Sequence, residues 1–340
     1  MLNRRDFARL SIAAAAATAI APSQARPNIK PKRLVAGDTV GLVLPASAAF
    51  ESDEVQFGKD QMEALGFHVQ IGAHAFDKYG YFAGRDRDRA DDINRFFADD
   101  RIAGVVCYTG GWGSPRVLPY LDFDLIARKP KVVIGYSDIT ALINAIHQKT
   151  GLITFHGPVG GSVFDPYTIE NFKRVVMTAE PAGLLPTPPK KANELVDRTN
   201  RIVKLAPGKA TGRLAGGNLT LVSMLMGTPY EVDTQGAILF LEDTHEEPYR
   251  IDRMLTQLAL GGSLARIAGF VWGRCTDCKS TGPTFSLEEI LRDRFSNLGV
   301  PAISGLSFGH IEQKLVMPIG VQATLDADTG TVSINESAVA

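Results

Sequence analysis

Short apolar runs alternate with amphipathic segments between residues 34 and 160, and this alternation limits the folds open to the chain. The apolar runs predict strands at 40–44, 68–71, 102–107 and 132–134. The amphipathic segments have helical spacing at 54–65, 87–97 and 138–147. Strands that alternate with helices form parallel sheets with helices on both faces. The sequence therefore predicts an α/β fold for an N-terminal domain at residues 34–165.

Composition changes after this domain, where prolines and a pair of lysines predict a linker with a few short elements at residues 166–210. A second domain follows at residues 211–335. Its expected elements are a glycine-rich turn and helix at 216–219, strands at 237–241 and 267–272, helices at 249–259 and 287–295, and a final strand pair at 322–327 and 331–334.

The first 25 residues have the order of an export signal. Arg4 and Arg5 precede Phe7, an alanine-rich apolar run follows, and small residues end at Ala25. Paired arginines before a weakly apolar run are typical of twin-arginine signals. We therefore expect cleavage after Ala25 and a protein that is periplasmic or exported.

The bulk composition excludes several other classes of protein. Hydrophobic residues make up 45% of the 340 residues and charged residues 21%, as expected for a soluble globular enzyme. The formal net charge of −1 offers no basic excess for nucleic acid. No segment has the roughly 20 apolar residues of a membrane span, so no stable membrane insertion is expected. No motif predicts a cofactor, because the glycine-rich segments lack the full dinucleotide-binding pattern.

Ser137 lies where a predicted strand runs directly into a predicted helix, in the segment 135–138. A serine at such a turn is exposed at the end of the strand, and the helix N-terminus favours a developing negative charge. Ile139 replaces the second glycine of the G-x-S-x-G pattern. The segment predicts a serine nucleophile, and a simple helix cap at Ser137 or Asp138 is the alternative.

A serine nucleophile needs a histidine base, and the base needs a carboxylate that orients it. His310 follows a glycine in a small, turn-rich segment, which predicts a loop position. His156, on a predicted loop, and His245, near Glu242, are rivals, whereas His68 and His147 fall in predicted elements and are expected to be structural.

Two adjacent carboxylates, Glu242 and Asp243, come where the apolar strand at 237–241 stops. A carboxylate at the end of a rigid element can accept a hydrogen bond from histidine Nδ1. Spacing alone leaves open which of the two does so, and a pair of acids that caps the next helix is the alternative.

Gly110 and Gly111 directly follow the third predicted strand. Glycines there let backbone N–H groups approach a ligand closely. Together with the N–H of Asp138, they are candidates for an oxyanion hole, and an ordinary glycine-rich turn is the alternative.

The chain has three cysteines, of which Cys275 and Cys278 form a C-x-x-C and Cys107 stands apart. A single C-x-x-C without a second pair is weak evidence for zinc, so no metal site is expected. The favoured interpretation is two ordinary thiols in a loop, and a disulfide is the alternative that an oxidising compartment permits.

Taken together, these segments resemble the LD-carboxypeptidase family of serine peptidases, the muramoyltetrapeptide carboxypeptidases. The resemblance covers residues 34 to 322, with the motifs in family order. They lie at 37–40 (GDTV), 81–86 (YFAGRD), 110–116 (GGWGSPR), 135–140 (GYSDIT), 216–219 (GGNL), 242–243 with 247–253 (ED and EPYRIDR), and 309–310 (GH).

The resemblance implies a Rossmann-like N-terminal domain with a parallel sheet and a smaller β-rich C-terminal domain. It assigns the nucleophile to Ser137, the orienting carboxylate to Glu242 and the base to His310. It implies a murein tetrapeptide as substrate, cut to release the terminal D-alanine without a metal. Many relatives are homodimers, and the same assembly is open to this chain.

Thr109 and Trp112 stand where relatives commonly carry arginine and tyrosine, so the altered loop leaves the substrate open. Related proteins hydrolyse peptide–nucleotide antibiotics and give self-immunity, which is the first alternative function. A catalytically silent envelope-binding protein is the second. The export signal is a further departure, because many relatives work in the cytoplasm.

Overall fold

The computed structural model describes residues 27–190, 193, 195–197 and 199–340. The expected export signal at residues 1–25 lies outside the described residues. Within them, no helix combines the length and the apolar character that crossing a membrane requires.

The described residues form fourteen strands and nine α-helices. The strands are β1 (Thr39–Val43), β2 (His68–Ile71), β3 (Ile102–Cys107), β4 (Val132–Gly135), β5 (Thr154–His156), β6 (Gly183–Leu184), β7 (Val203–Ala206), β8 (Lys209–Asn218), β9 (Ala237–Thr244), β10 (Gly269–Thr276), β11 (Ala302–Ser304), β12 (Met317–Ile319), β13 (Gln322–Asp326) and β14 (Thr331–Ile334). The helices are α1 (Ser52–Ala64), α2 (Asp86–Ala98), α3 (Ser114–Val117), α4 (Phe123–Arg128), α5 (Thr140–Thr150), α6 (Pro166–Phe172), α7 (Leu219–Met224), α8 (Pro248–Leu260) and α9 (Leu287–Phe295).

The first sheet has six strands in the order β12-β5-β4-β3-β1-β2. All neighbours in it are parallel except the edge strand β12, which pairs antiparallel with β5. All four residues of β4 are buried, as expected for a central strand of a parallel sheet. The α/β fold predicted from the alternation of apolar runs and helices is thus confirmed.

The second sheet has eight strands in the order β6-β14-β13-β8-β9-β10-β11-β7. Its centre, from β8 to β11, is parallel, and antiparallel strands flank this centre on both sides. Strands β9 and β10 continue to Thr244 and Thr276, beyond the predicted ends at 241 and 272. Residues that the sequence placed after these strands therefore lie within them.

The glycine pair Gly216-Gly217 lies inside strand β8, so the prediction of a glycine-rich turn was wrong. The physical reason is a close approach between two strands. A Cβ atom on Gly216 would lie 1.9 Å from the carbonyl oxygen of Phe240 in β9. Only glycine permits that approach. The local sequence pattern predicts a turn instead, because turns are the commonest use of a glycine pair.

The segment 166–210 contributes helix α6 and the short strands β6 and β7, both of which join the second sheet. Conversely, strand β12, which belongs to the C-terminal part of the chain, is the edge strand of the first sheet. Buried apolar side chains of both sheets belong to one continuous core. The two sheets are therefore held in a fixed relation to each other.

Helix α5 docks the first sheet against the second. Asn144 donates a hydrogen bond from Nδ2 to the carbonyl oxygen of Gly216 at 2.8 Å. The backbone N–H of Asn218 donates to Oγ1 of Thr140 at 3.0 Å. These buried polar contacts involve the N-terminal half of α5, the helix that follows strand β4. They therefore fix the start of α5 relative to the second sheet.

A buried arginine, Arg89 on α2, ties together the loops that follow β1 and β3. It is 2% exposed. Its Nη1 donates to the carbonyl oxygens of Pro45 at 2.6 Å and Gly113 at 3.1 Å, and its Nη2 donates to Asp86 at 2.5 Å. The guanidinium thus saturates two buried carbonyl groups and holds the glycine-rich loop 109–113 in place.

Arg89→Met is expected to lower the free energy of unfolding by about 2–4 kcal/mol, because two buried carbonyl oxygens lose their donor. Chemical denaturation followed by circular dichroism measures this change. The matched control is Arg87→Met on the exposed side of the same helix, which loses only a cation–π contact with Tyr120 and is expected to change stability by less than about 1 kcal/mol. Equal effects of the two substitutions would contradict the role assigned to Arg89.

Candidate active site

Ser137 occupies a sharp turn between strand β4 and helix α5. Its backbone φ is +63°, in the left-handed region that non-glycine residues rarely adopt. A 3₁₀ turn at Ser137–Ile139 leads directly into α5. Such strain is of order 1–3 kcal/mol and persists where the surrounding structure imposes it, often at functional sites. The turn therefore has the backbone signature of a nucleophile elbow.

His310 lies on the loop after β11 and makes two hydrogen bonds through its ring. Its Nε2 lies 2.8 Å from Ser137 Oγ, and its Nδ1 lies 2.8 Å from Glu242 Oε2. Gly309 precedes it with φ +108°, and a Cβ atom there would lie 2.7 Å from Glu242 Oε2. A glycine is therefore needed at 309 for the ring to reach the carboxylate.

The two carboxylates at the end of β9 face opposite sides of the strand, because successive side chains in a strand alternate. Glu242 is fully buried and meets His310. Asp243 instead accepts hydrogen bonds from Asn218 Nδ2 and from the backbone N–H and Oγ1 of Thr220, at 2.9 to 3.0 Å. Burial, with the nearby charge of Glu242, raises the pKa of Asp243 to about 6.

This geometry defines what the three side chains can do chemically. A carboxylate that accepts the Nδ1–H of His310 holds the imidazole in the tautomer whose Nε2 accepts the Ser137 hydroxyl proton. The same carboxylate stabilises the imidazolium that results. The structure thus brings together Ser137, Glu242 and His310, the three residues that the resemblance assigned to catalysis.

The glycine-rich loop passes directly beside the serine. A Cβ atom on Gly110 would lie 2.9 Å from Ser137 Cβ and 3.2 Å from the backbone nitrogen of Asp138. Gly111 lies one step further along and packs against Ser47, whose hydroxyl accepts the N–H of Trp112 at 3.0 Å. Gly110 and Asp138 are therefore neighbours at the serine, and Gly111 borders them.

The Asp138 side chain is turned away from the reacting atoms and anchors helix α3. Its Oδ2 accepts the N–H of Ser114 at 2.7 Å, and the Ser114 hydroxyl donates to the Asp138 carbonyl. Burial raises the pKa of the Asp138 carboxyl. Ser47 and Ser114 were not singled out from the sequence, because isolated serines carry no local signal of such contacts.

The two rival histidines make other contacts. His245 is exposed, and its Nδ1 lies 2.9 Å from Thr244 Oγ1. His156 is buried under the site, and its ring lies edge-on to Tyr136, Phe240 and Phe308. Neither ring nitrogen of His156 has a hydrogen-bond partner among the described residues. Burial lowers the pKa of His156 to about 4, so its ring is neutral near neutral pH.

Two clefts flank the serine. The larger, of about 1040 Å³, lies on the His310 side, and its wall includes Tyr136, Arg274 and Lys314. The smaller, of about 590 Å³, lies on the Gly110 side and is bounded by Phe50, Asp53, Glu54, Phe57, Tyr108, Trp112 and neighbouring residues. The indole of Trp112 is 68% exposed at this rim. The larger cleft was missed from the sequence, because its wall comes from distant segments.

The C-x-x-C is oxidised. Cys275 and Cys278 form a disulfide, so the favoured interpretation of two free thiols was wrong. The turn after strand β10 brings the two sulfur atoms together, which the linear spacing alone did not determine. Cys107 is a buried free cysteine, and burial raises the pKa of its thiol. It therefore lacks the thiolate character of a nucleophile.

A group of possible metal ligands lies outside this site. The ligand atoms of His74, Asp77 and Asp88 are within 4.8 Å of one another. His74 Nδ1 and Asp77 Oδ2 already pair at 2.8 Å, and this contact raises the pKa of His74. None of the three is a residue of the triad.

Comparison with known proteins identifies the sequence pattern. Residues 40–157 match the LD-carboxypeptidase N-terminal domain and residues 211–325 match the LD-carboxypeptidase C-terminal domain. A probable murein peptide carboxypeptidase of Bacillus subtilis is 39% identical over 90% of this chain and 94% of its own length.

Two solved structures share the fold. The microcin C7 self-immunity protein MccF of Escherichia coli superposes with a TM-score of 0.83 at 26% identity, over 92% of this chain and 100% of that chain. A muramoyltetrapeptide carboxypeptidase from Oxalobacter formigenes superposes with a TM-score of 0.75 at 27% identity, over 88% of this chain and 98% of that chain.

Acid is expected to destabilise the protein through His156. The pKa of about 4 in the folded protein lies below the ordinary value of 6.5, so between these values the unfolded chain binds a proton that the folded chain does not. The contribution of this ring to stability is therefore complete above about pH 6.5 and falls with decreasing pH, by at most about 1.4 kcal/mol per pH unit.

The measurement is guanidinium chloride unfolding of the wild type and His156→Phe at about pH 7 and about pH 5. The loss of stability between the two pH values is expected to be smaller in the variant. A packing penalty cancels, because each protein is compared with itself. His245→Phe is the matched control, since that ring is exposed. An unchanged loss in His156→Phe would show that the buried imidazole does not carry the effect.

Proposed function

The chain belongs to the LD-carboxypeptidase family of peptidases, and we propose that it is a serine carboxypeptidase that releases the terminal D-alanine of murein tetrapeptides. The single observation that carries this proposal is the hydrogen-bonded chain from Glu242 through His310 to Ser137, with both contacts at 2.8 Å. A buried carboxylate, an oriented imidazole and a serine on a strained elbow form the arrangement of a serine acyl-transfer enzyme.

In the proposed reaction, His310 takes the proton of the Ser137 hydroxyl while Oγ attacks the carbonyl carbon of the L,D-amide bond. The tetrahedral intermediate collapses when His310 protonates the leaving nitrogen, and D-alanine departs from an acyl-enzyme. Water, activated by the same imidazole, attacks the ester carbonyl and releases the tripeptide. Glu242 stabilises the imidazolium in both halves of the reaction.

The negative charge that develops on the carbonyl oxygen needs hydrogen-bond donors beside Ser137. We propose the backbone N–H of Asp138 and that of Gly110 or Gly111 for this role. The close approach of the Gly110 backbone to Ser137 and Asp138 supports this assignment. Helix α5 adds its N-terminal dipole, which favours negative charge at the same position.

Two relatives support a murein peptide as the substrate class. Both the Bacillus subtilis relative and the Oxalobacter formigenes structure are described as carboxypeptidases of murein or muramoyl peptides. The similarity to MccF favours a second candidate, hydrolysis of a peptide–nucleotide conjugate. Trp112 supports that candidate, because an exposed indole beside the site offers a surface on which a nucleobase can stack.

Purified enzyme without residues 1–25 is expected to release D-alanine from L-Ala–D-Glu–meso-diaminopimelate–D-Ala, and Ser137→Ala is expected to lose about 10⁴-fold or more of kcat. Mass spectrometry of the reaction products measures both. Ser280→Ala, on an exposed loop, is the matched control and is expected to retain activity. Release by Ser137→Ala at the wild-type rate would contradict the triad.

Two other outcomes identify the rivals. Faster turnover of an aminoacyl-nucleotide conjugate than of the tetrapeptide would favour the self-immunity function. Binding of stem peptides without release of any product would favour a catalytically silent envelope-binding protein.

We also propose that the chemistry takes place outside the cytoplasm, after export through residues 1–25. The paired Arg4 and Arg5 before an alanine-rich run support this proposal, and the Cys275–Cys278 disulfide is compatible with an oxidising compartment. An exported peptidase of this kind would meet peptidoglycan stem peptides before their uptake.

Replacing Arg4 and Arg5 by lysine keeps the positive charge but removes the paired arginines, so export is expected to fail. Cell fractionation with immunoblotting measures this, and N-terminal sequencing of the exported wild type is expected to begin at Arg26. The matched control is Arg9→Lys, which leaves the pair intact. Equal export of the double variant and the wild type would argue against a twin-arginine signal.

A further inference from the structure

Three cationic side chains line the larger cleft beside His310: Lys190, which is exposed, and the partly or fully buried Arg274 and Lys314. Neither Arg274 nor Lys314 takes part in the proton transfers of acyl transfer. Buried or half-buried charges are expensive unless a group of opposite charge or a set of hydrogen bonds compensates them. Their position therefore calls for an explanation beyond the triad.

Lys314 is almost fully buried, with 4% of its surface exposed. Its Nζ lies 4.4 Å from the centre of the Tyr136 ring and 3.4 Å from the Tyr136 hydroxyl oxygen. Among the described residues, the carboxylates of Glu242, Asp165 and Glu312 act on it through their charge, without an ion pair. Its backbone N–H donates to Thr168 Oγ1 at 3.1 Å, which fixes the segment against helix α6. The ammonium group is thus held in place beside Tyr136 with carboxylates nearby but without an ion pair.

Arg274 extends from strand β10 into the same cleft. Its Nη2 is buried and has no hydrogen-bond partner among the described residues. Asp197 is the carboxylate whose charge reaches it, without an ion pair between the two. Its backbone N–H donates to the Phe308 carbonyl at 3.1 Å, and the disulfide begins at the next residue. The guanidinium therefore stands on a constrained backbone with unused donors.

The acidic groups of this cleft wall are Asp165 and the exposed Glu312. Asp165 accepts hydrogen bonds from Gln313 Nε2 and from the backbone N–H of Thr168, both at 2.9 Å. The smaller cleft on the opposite side of Ser137 carries Asp53 and Glu54 in its wall and no lysine or arginine. The two clefts thus differ in charge, and an anionic group is favoured on the His310 side.

The chemistry of the triad also favours an anionic group on the His310 side. His310 must give a proton to the leaving nitrogen, so the leaving group has to lie next to the imidazole. In a carboxypeptidase the leaving group is an amino acid with a free carboxylate. That carboxylate lies within one residue of the cleaved bond, and it would therefore fall in the cleft that Arg274 and Lys314 border.

We propose that Arg274 and Lys314 form the binding site for the C-terminal carboxylate of the peptide. This inference rests on the proposed function and adds the residues that restrict cleavage to the last bond of the chain. A guanidinium has paired donors that match the two oxygens of a carboxylate, and the ammonium adds a second charge-assisted hydrogen bond. A peptide that continues beyond D-alanine lacks this anion at the required distance.

Lys314 has an alternative role, because its ammonium also interacts electrostatically with the buried Glu242 carboxylate. A residue that acts only on Glu242 would alter kcat equally for substrates with and without a C-terminal carboxylate. A residue that binds the carboxylate would alter the preference between them. The test therefore compares two substrates in each variant.

The substrates are L-Ala–D-Glu–meso-diaminopimelate–D-Ala and the same peptide with a C-terminal D-alaninamide. For the wild type, kcat/KM is expected to be about 10- to 100-fold higher for the acid, the range of a charge-assisted hydrogen bond. In Arg274→Met and in Lys314→Met this ratio is expected to fall towards one, mainly through a higher KM for the acid. Arg274→Lys is expected to restore part of the ratio.

The matched control is Lys279→Met, which removes an exposed charge close to the disulfide and is expected to keep the wild-type ratio. Each ratio is taken within one protein, so a poorly folded fraction cancels. If both methionine variants keep the wild-type ratio of kcat/KM for acid over amide, the inference is overturned. An equal loss of kcat on both substrates in Lys314→Met also overturns it for that residue, in favour of the effect on Glu242.

Failure of the proposed function gives a different result. If the wild type releases nothing from either peptide, the reaction itself is wrong. Isothermal titration of Ser137→Ala with the two peptides then tests the binding site alone. Tighter binding of the acid, lost in Ser137→Ala combined with Arg274→Met, supports the carboxylate site, and equal binding of acid and amide overturns it.

Discussion

The candidate site depends on the docking of helix α5 against strand β8. Ser137 follows strand β4 of the first sheet, whereas Glu242 lies on β9 of the second sheet and His310 on the loop after β11. The hydrogen bonds from Asn144 to the Gly216 carbonyl and from the Asn218 N–H to Thr140 hold the first turns of α5 on the second sheet. Together with the shared apolar core, they fix the 2.8 Å contact between serine and imidazole.

Backbone conformation places the reacting atoms within this frame. Ser137 and Gly309 both have left-handed φ angles, +63° and +108°. For Ser137 the conformation is strained, and the core beneath the elbow must impose it. For Gly309 the missing side chain leaves room for Glu242 Oε2. The strained backbone at Ser137 and the missing side chain at Gly309 together place the His310 imidazole between Ser137 and Glu242.

Charged side chains around the triad differ between the two faces of strand β9 and between the two clefts beside Ser137. On strand β9, Glu242 points to the imidazole, while Asp243 is saturated by Asn218 and Thr220 on the other face. Across the serine, one cleft has only acidic charges in its wall, whereas the other has Lys190, Arg274 and Lys314 against two carboxylates. Because buried charges are expensive, such an arrangement is stable only when each charge has a partner or a ligand to meet.

The sequence by itself determined the α/β architecture, because buried parallel strands and covering helices have different hydrophobic periods. Elements such as β2, β3 and α9 have the predicted bounds. It also identified Ser137 as a candidate, because strand, elbow and helix are adjacent along the chain. Local pattern did not separate Glu242 from Asp243, and at the level of sequence only the family resemblance did so.

Tertiary structure decided which face of strand β9 each carboxylate takes and how closely the strand carrying Gly216 approaches its neighbour. It also decided that Cys275 and Cys278 are bonded. Finally, it brought Arg274 and Lys314 into one cleft. Each of these depends on contacts between residues whose conformation or neighbours are set by distant parts of the chain. Hydrophobic periodicity records which residues are buried, but it carries no information about the groups they meet there.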